Sequence, residues 1–115
     1  MVRKKNERTS EIKENMRGGT GRVKLEAYFS KEEMNANCRL CSQITVSPGA
    51  SIGSHEHLKE EEIFIILRGT GVITDDGREY TVTAGDSILT GNGGTHSIRN
   101  DGDEDLEMVA VINCW

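Results

Sequence analysis

From Val23 onward the chain alternates apolar and polar residues with a period of two, which restricts it to β structure. Val23, Leu25, Ala27 and Phe29 alternate with Lys24, Glu26 and Tyr28. Leu40, Ser42, Ile44 and Val46 alternate with Cys41, Gln43 and Thr45. Residues two apart on a strand share a face, so each stretch offers one side to a core. Further strands are expected at residues 63–68, 71–74, 79–83, 86–90, 96–99 and 106–113. Turn chemistry separates them at Gly69, Asp75-Asp76-Gly77, Ala84-Gly85, Gly93-Gly94 and Asp101-Gly102-Asp103. Many short strands with glycine-rich turns give an all-β antiparallel sandwich or barrel. At 115 residues, the chain has room for one such core.

Residues 1–22 differ in character. They hold seven Lys/Arg and three Asp/Glu, a local balance of +4 that leaves −9 on the rest of the chain. This reads as a basic, partly flexible arm preceding a barrel domain over residues 23–115. A short helical stretch is expected around Glu11 to Met16, with Ile12 and Met16 on one face. Gly18-Gly19-Thr20-Gly21 then reads as a flexible entry into the barrel, since its spacing is not that of a phosphate loop. The net charge of −5 argues against a nucleic-acid partner, and no apolar run is long enough to span a membrane. A cytoplasmic location is the expectation. Cys38 and Cys41 form a lone C-x-x-C, read as inert thiols on opposite strand faces.

The chain has three histidines, and they are placed for chemistry. His55 and His57 leave one strand face together, while Glu56 points away, outside the barrel. The run Glu60-Glu61-Glu62 supplies a candidate carboxylate, and His96 approaches another strand. Imidazole nitrogens and a carboxylate oxygen converging on one point suit a borderline transition metal.

These spacings resemble the two signature motifs of the cupin superfamily. Gly49, His55, His57, Glu62 and Gly69 fill the first, G(X)5HXH(X)3,4E(X)6G, in order. Glu61 also satisfies its distance from His57, but only Glu62 has a glycine seven positions on and shares a face with Phe64 and Ile66. Gly85, Gly93, His96 and Asn100 fit the second motif, G(X)5PXG(X)2H(X)3N, with Gly91 where the family has proline. That departure is expected to loosen the turn before His96.

The resemblance implies a small jelly-roll barrel of two antiparallel sheets, with one divalent metal (Fe, Mn, Ni, Cu or Zn) held by His55, His57, Glu62 and His96. Replacement of Glu60 or Glu61 should then matter little. Leu40, Ser42, Ile44 and Val46 would face inward, as would Leu106, Met108, Ala110 and Ile112. The substrate pocket would be lined by Ser42, Ile44, Phe64, Ile66, Ile98 and Met108, largely apolar and without Lys or Arg on the inner faces. A dianion such as oxalate is disfavoured by such a wall, unless Arg17 or Arg22 reaches in from the arm. The function implied is a metal-dependent enzyme on a small organic substrate: dioxygenase-like first, sugar isomerase-like second, with Glu62 as a possible proton shuttle. The alternative is a non-catalytic module that binds or senses a small ligand. Ile63, Ile65 and Leu67 project from the outer strand face as an apolar stripe, which points to a homodimer.

Overall fold

A computed structural model describes all 115 residues. Its ten strands are β1 Ser10–Glu14, β2 Arg22–Ala27, β3 Cys38–Val46, β4 Ser51–Glu56, β5 Glu60–Arg68, β6 Thr70–Asp75, β7 Arg78–Thr83, β8 Ser87–Gly91, β9 Thr95–Arg99 and β10 Leu106–Cys114. Helical structure is confined to single 3-10 turns at Lys5–Glu7, Met16–Gly18 and Lys31–Glu33. No helix is long and apolar enough to cross a membrane.

One sheet has six strands in the order β1-β2-β3-β10-β5-β8, and the other has four in the order β4-β9-β6-β7. All pairings are antiparallel. The two sheets close face to face on one core, as the alternation requires. Ile44, Ile66, Ile73, Ile98, Leu106 and Met108 are almost wholly buried there, each contributing roughly 1.5–3 kcal/mol. The expected inward residues of β3 and β10 face this core. Leu40 is only partly buried, near the open end. β5 begins three residues before its apolar run, because Glu60 and Glu62 find polar partners on the inner side.

Two expectations change. The stretch around Glu11 to Met16 is a strand followed by a 3-10 turn. A helix this short is marginal in water, whereas β1 gains a full antiparallel ladder with β2, Ile12 opposite Lys24. The glycines after it are not a loose entry. Asn15 and Arg17 are left-handed (φ 53° and 55°), and the turn between them seats Met16 against the core. Thr20 and Ser51 then exchange backbone and hydroxyl hydrogen bonds, docking the segment on β4.

Gly19 and Gly53 make that docking possible. A Cβ on Gly19 would lie 2.2 Å from the Ser51 carbonyl oxygen, and one on Gly53 would lie 2.1 Å from that of Arg17. Gly53→Ala is therefore expected to push the segment off β4 and cost about 1–3 kcal/mol. Thermal unfolding followed by circular dichroism measures it, and an unchanged midpoint would contradict the close approach.

Candidate metal centre

The site lies between the sheets near one end of the barrel. His55, next to last in β4, lies opposite His96 on β9, so two imidazoles start as cross-strand neighbours. His57 follows β4 and is tied by two backbone hydrogen bonds to Gly93 and Gly94. Glu62 comes from the other sheet, on β5. The turn before His96 is not loosened by the missing proline. Asn92 and Gly93 are both left-handed, and Gly94 N–H donates to the Gly91 carbonyl at 2.9 Å, closing it tightly. Asn100 braces the far end of β9 by donating to the carbonyls of Val46 and Glu104. Glu56 is exposed, as strand parity requires.

His55, His57, Glu62 and His96 form a cluster able to hold a metal ion, with their donor atoms within 4.8 Å of one another. His96 Nε2 is 3.0 Å from the Nε2 atoms of both His55 and His57. Glu62 Oε1 lies 3.0 Å from His57 and His96 and 3.9 Å from His55. Ligands at right angles on a metal with bonds of about 2.1 Å stand about 3.0 Å apart, so the spacing fits. Each outer nitrogen is engaged: His55 Nδ1 by the Gly53 carbonyl at 2.8 Å, His57 Nδ1 by Glu60 at 2.8 Å, and His96 Nδ1 by the Thr90 hydroxyl at 3.0 Å. Carbonyl and carboxylate only accept, so these contacts place the proton on Nδ1 and free Nε2 for a ligand. Lone pairs turned inward on His55 and His57 face the Glu62 carboxylate and repel it unless a proton or a metal ion lies among them.

Titration follows the same logic. Burial opposes charge on Glu62, but wherever an inner nitrogen carries a proton its N–H donates to the carboxylate, and such bonds from His55, His57 and His96 outweigh burial and hold the carboxyl well below the usual range. His57 is raised above its ordinary value, chiefly by Glu62, with burial opposing and Glu60 adding. The Arg39 guanidinium holds Glu60 at about 2, with burial opposing and His57 assisting.

The cluster opens on a cavity of about 540 Å³. Its apolar wall comes from Met16, Leu25, Leu40, Ile44, Ile52, Phe64 and Ile112. The expected pocket residues separate. Ile44 and Phe64 line the cavity, and the Phe64 ring stacks on His96 with centroids 5.0 Å apart. Ile66, Ile98 and Met108 are buried in the core behind the wall, while Ser42 borders a neighbouring hollow. Arg17 reaches in from the arm, as the expectation allowed, whereas Arg22 does not; Lys13 and Arg39 also line the cavity, which the expectation did not include, beside Glu11 and Glu14. Lys13 and Arg17 come from the segment docked on β2 and β4, and Arg39 from the open end of β3.

The family model described as the cupin domain matches residues 42–112. This chain belongs to the cupin family. An oxalate-binding protein of Thermotoga maritima is 45% identical over 112 residues, covering 97% of this cupin and 93% of the relative. A crystal structure described as a predicted oxalate decarboxylase, from the same organism, superposes with a TM-score of 0.95 at 43% identity over the full length of both chains. A mannose-1-phosphate guanylyltransferase of Klebsiella pneumoniae is 33% identical over 70 residues, 61% of this cupin but 15% of that enzyme.

Glu60 and Arg39 escaped the motif reading. Arg39 grips Glu60 through two hydrogen bonds of 2.6 and 2.8 Å, and Glu60 in turn holds His57. Glu60, whose replacement was expected to matter little, thus stands against one of the candidate ligands, while Glu61 makes no such contact. Glu62→Gln should lower metal retention more than the roughly 10–100-fold typical of an outer-shell partner, and Glu61→Gln should leave it unchanged. Elemental analysis after dialysis against a chelator measures both, and equal loss would show the carboxylate ligand to be misassigned.

Proposed function

We propose that this cupin holds one divalent transition metal through His55, His57, Glu62 and His96, and uses it to bind a small carboxylate of the oxalate class. The observation that carries the reading is Arg17, a cation without an acidic partner at the rim of a cavity that ends on the cluster. An apolar wall narrows onto the metal cluster, and Lys13, Arg17 and Arg39 stand around it. Arg39 is committed to Glu60 and Lys13 lies 3.6 Å from Glu11, whereas Arg17 has no acidic partner within salt-bridge distance. A small dianion would meet a cation at either end: the metal inside and Arg17 at the rim. The Thermotoga relative named as an oxalate-binding protein supports the same ligand class.

A bound Fe, Mn, Ni, Cu or Zn ion would supply Lewis-acid polarisation of a ligated carboxylate oxygen. The chain's own residues orient and enclose the ligand. Phe64, Ile44 and Ile52 exclude water from the inner cavity, which strengthens each charge interaction there. Glu62 is the carboxylate available to hold or pass a proton if the bound acid is turned over, in dioxygenase-like or other chemistry. Binding without turnover remains the simpler form of the proposal.

Assembly as a homodimer belongs to the same reading. Ile65 and Leu67 are 41% and 45% exposed, and Leu89, which pairs with Ile63, is 62% exposed. Ile12 and Met16 of the N-terminal segment do not cover this face: β1 sits at the other edge of the sheet, beyond β10, β3 and β2, and Met16 packs inward. A second copy against this face would remove the stripe from water.

Calorimetric titration with oxalate tests the site. Saturable binding is expected only in the metal-loaded protein, with Lys13→Ala plus Arg17→Ala weakening it roughly three- to tenfold. Equal affinity without metal would refute the proposal. Light scattering tests the assembly: a dimer is expected, and Ile65→Lys with Leu67→Glu should convert it to monomers. A wild-type monomer refutes it.

A further inference from the structure

The three imidazoles of the cluster differ in what stands behind them. His55 is backed by a backbone carbonyl and His96 by a neutral hydroxyl. Only His57 is backed by an ionised side chain, Glu60 Oε1 at 2.8 Å. Glu60 is itself immobilised. Arg39 Nη2 donates to Oε1 at 2.8 Å and Arg39 Nε to Oε2 at 2.6 Å, the fork geometry of a bidentate pair. The Cys114 thiol, at 3.7 Å, faces Oε2. Lys59 is left-handed (φ 54°) immediately before it, so the chain turns sharply to bring Glu60 back under the ring of His57.

We infer that Glu60, anchored by Arg39, is a positioning residue that fixes His57 in its Nδ1–H form and strengthens Nε2 as a metal donor. A carboxylate accepts and cannot donate, so only the Nδ1–H tautomer satisfies both partners. Negative charge behind an imidazole raises the basicity of the opposite nitrogen, which neither a carbonyl nor a hydroxyl does as strongly. Arg39 has a second role by position. Its side chain lines the ligand cavity and a neighbouring hollow, so the same guanidinium that sets Glu60 faces any bound anion. Rotation of Arg39 toward a ligand would loosen Glu60, coupling occupancy of the cavity to the donor strength of His57.

The inference rests on the metal reading above for its purpose, but its tautomer claim stands apart from it. Long-range 1H–15N NMR of the full-length, metal-free protein reads the tautomer of His57. Titration with Co2+, followed by absorption, reads donor strength. Wild type is expected in the Nδ1–H form. Glu60→Gln should admit the Nε2–H form, because its amide can turn a donor toward the ring, and should lower Co2+ affinity roughly ten- to a hundredfold. Arg39→Met, which leaves Glu60 in place, should move both readouts the same way by less, and it substitutes as the test if Glu60→Gln does not fold. Glu61→Gln should change neither. Wild-type tautomer and affinity in Glu60→Gln overturn the positioning role while leaving the metal reading intact. A wild-type chain that binds no Co2+ overturns the metal reading, and the tautomer comparison then still decides for or against Glu60.

Discussion

The structure turns on the mutual repulsion of four electron-rich atoms gathered between two sheets. Three imidazole nitrogens and the Glu62 carboxylate meet at about hydrogen-bonding distance, in an interior otherwise built of Ile, Val, Leu and Met. Such a group persists only where its outer side is fully satisfied, since an unpaired buried polar atom costs about 1–3 kcal/mol. The Gly53 carbonyl, Glu60 and Thr90 each hold one ring from behind, and these contacts leave the inner lone pairs nowhere to turn. The barrel thus concentrates demand for a cation at one point. The two sheets hold that point rigidly, because His55 and His96 are cross-strand partners while Glu62 belongs to the opposite sheet.

Much of this was legible in the residues. Strands β2, β3 and β5 to β10 announced themselves because inward positions must be apolar and outward ones need not be, which leaves a period of two in the text of the chain; β4, with Ser, Gly and His, carries no such pattern. The ligands were legible through the spacing of the two motifs, which between them use every histidine in the chain. What stayed hidden depends on contacts distant in sequence. β1 is exposed at every position, so no burial pattern marks it as a strand. Arg39 and Glu60 are 21 residues apart, and nothing local ties one to the other. Among Glu60, Glu61 and Glu62, parity picked out the carboxylate that enters the cluster. It was silent on Glu60, which shares that inner face one step nearer the strand end.

The cavity's charge shows how a peripheral strand can change the chemistry of a core. Strands β3, β5 and β10 give the site a wall of Leu, Ile and Phe, with little to attract an anion. The segment of residues 13–17 adds Lys13 and Arg17 to the rim from the edge of the six-stranded sheet. The uneven charge of the sequence acquires a use here: basic residues of the arm stand beside a metal cluster in a body that is otherwise acidic.

The interlock of Gly19 and Gly53 has an evolutionary consequence. The aperture above the metal is set by two positions where even a methyl group is forbidden, so its frame resists drift. The side chains that project from that frame, on β1 and at Arg17, are solvent-exposed and contribute little to the core, so mutation can sample them with small penalty. Rigidity of the frame and latitude of the rim are thereby separated within one short segment. A lineage carrying this barrel can revise its rim while inheriting unchanged the four residues able to hold a metal ion.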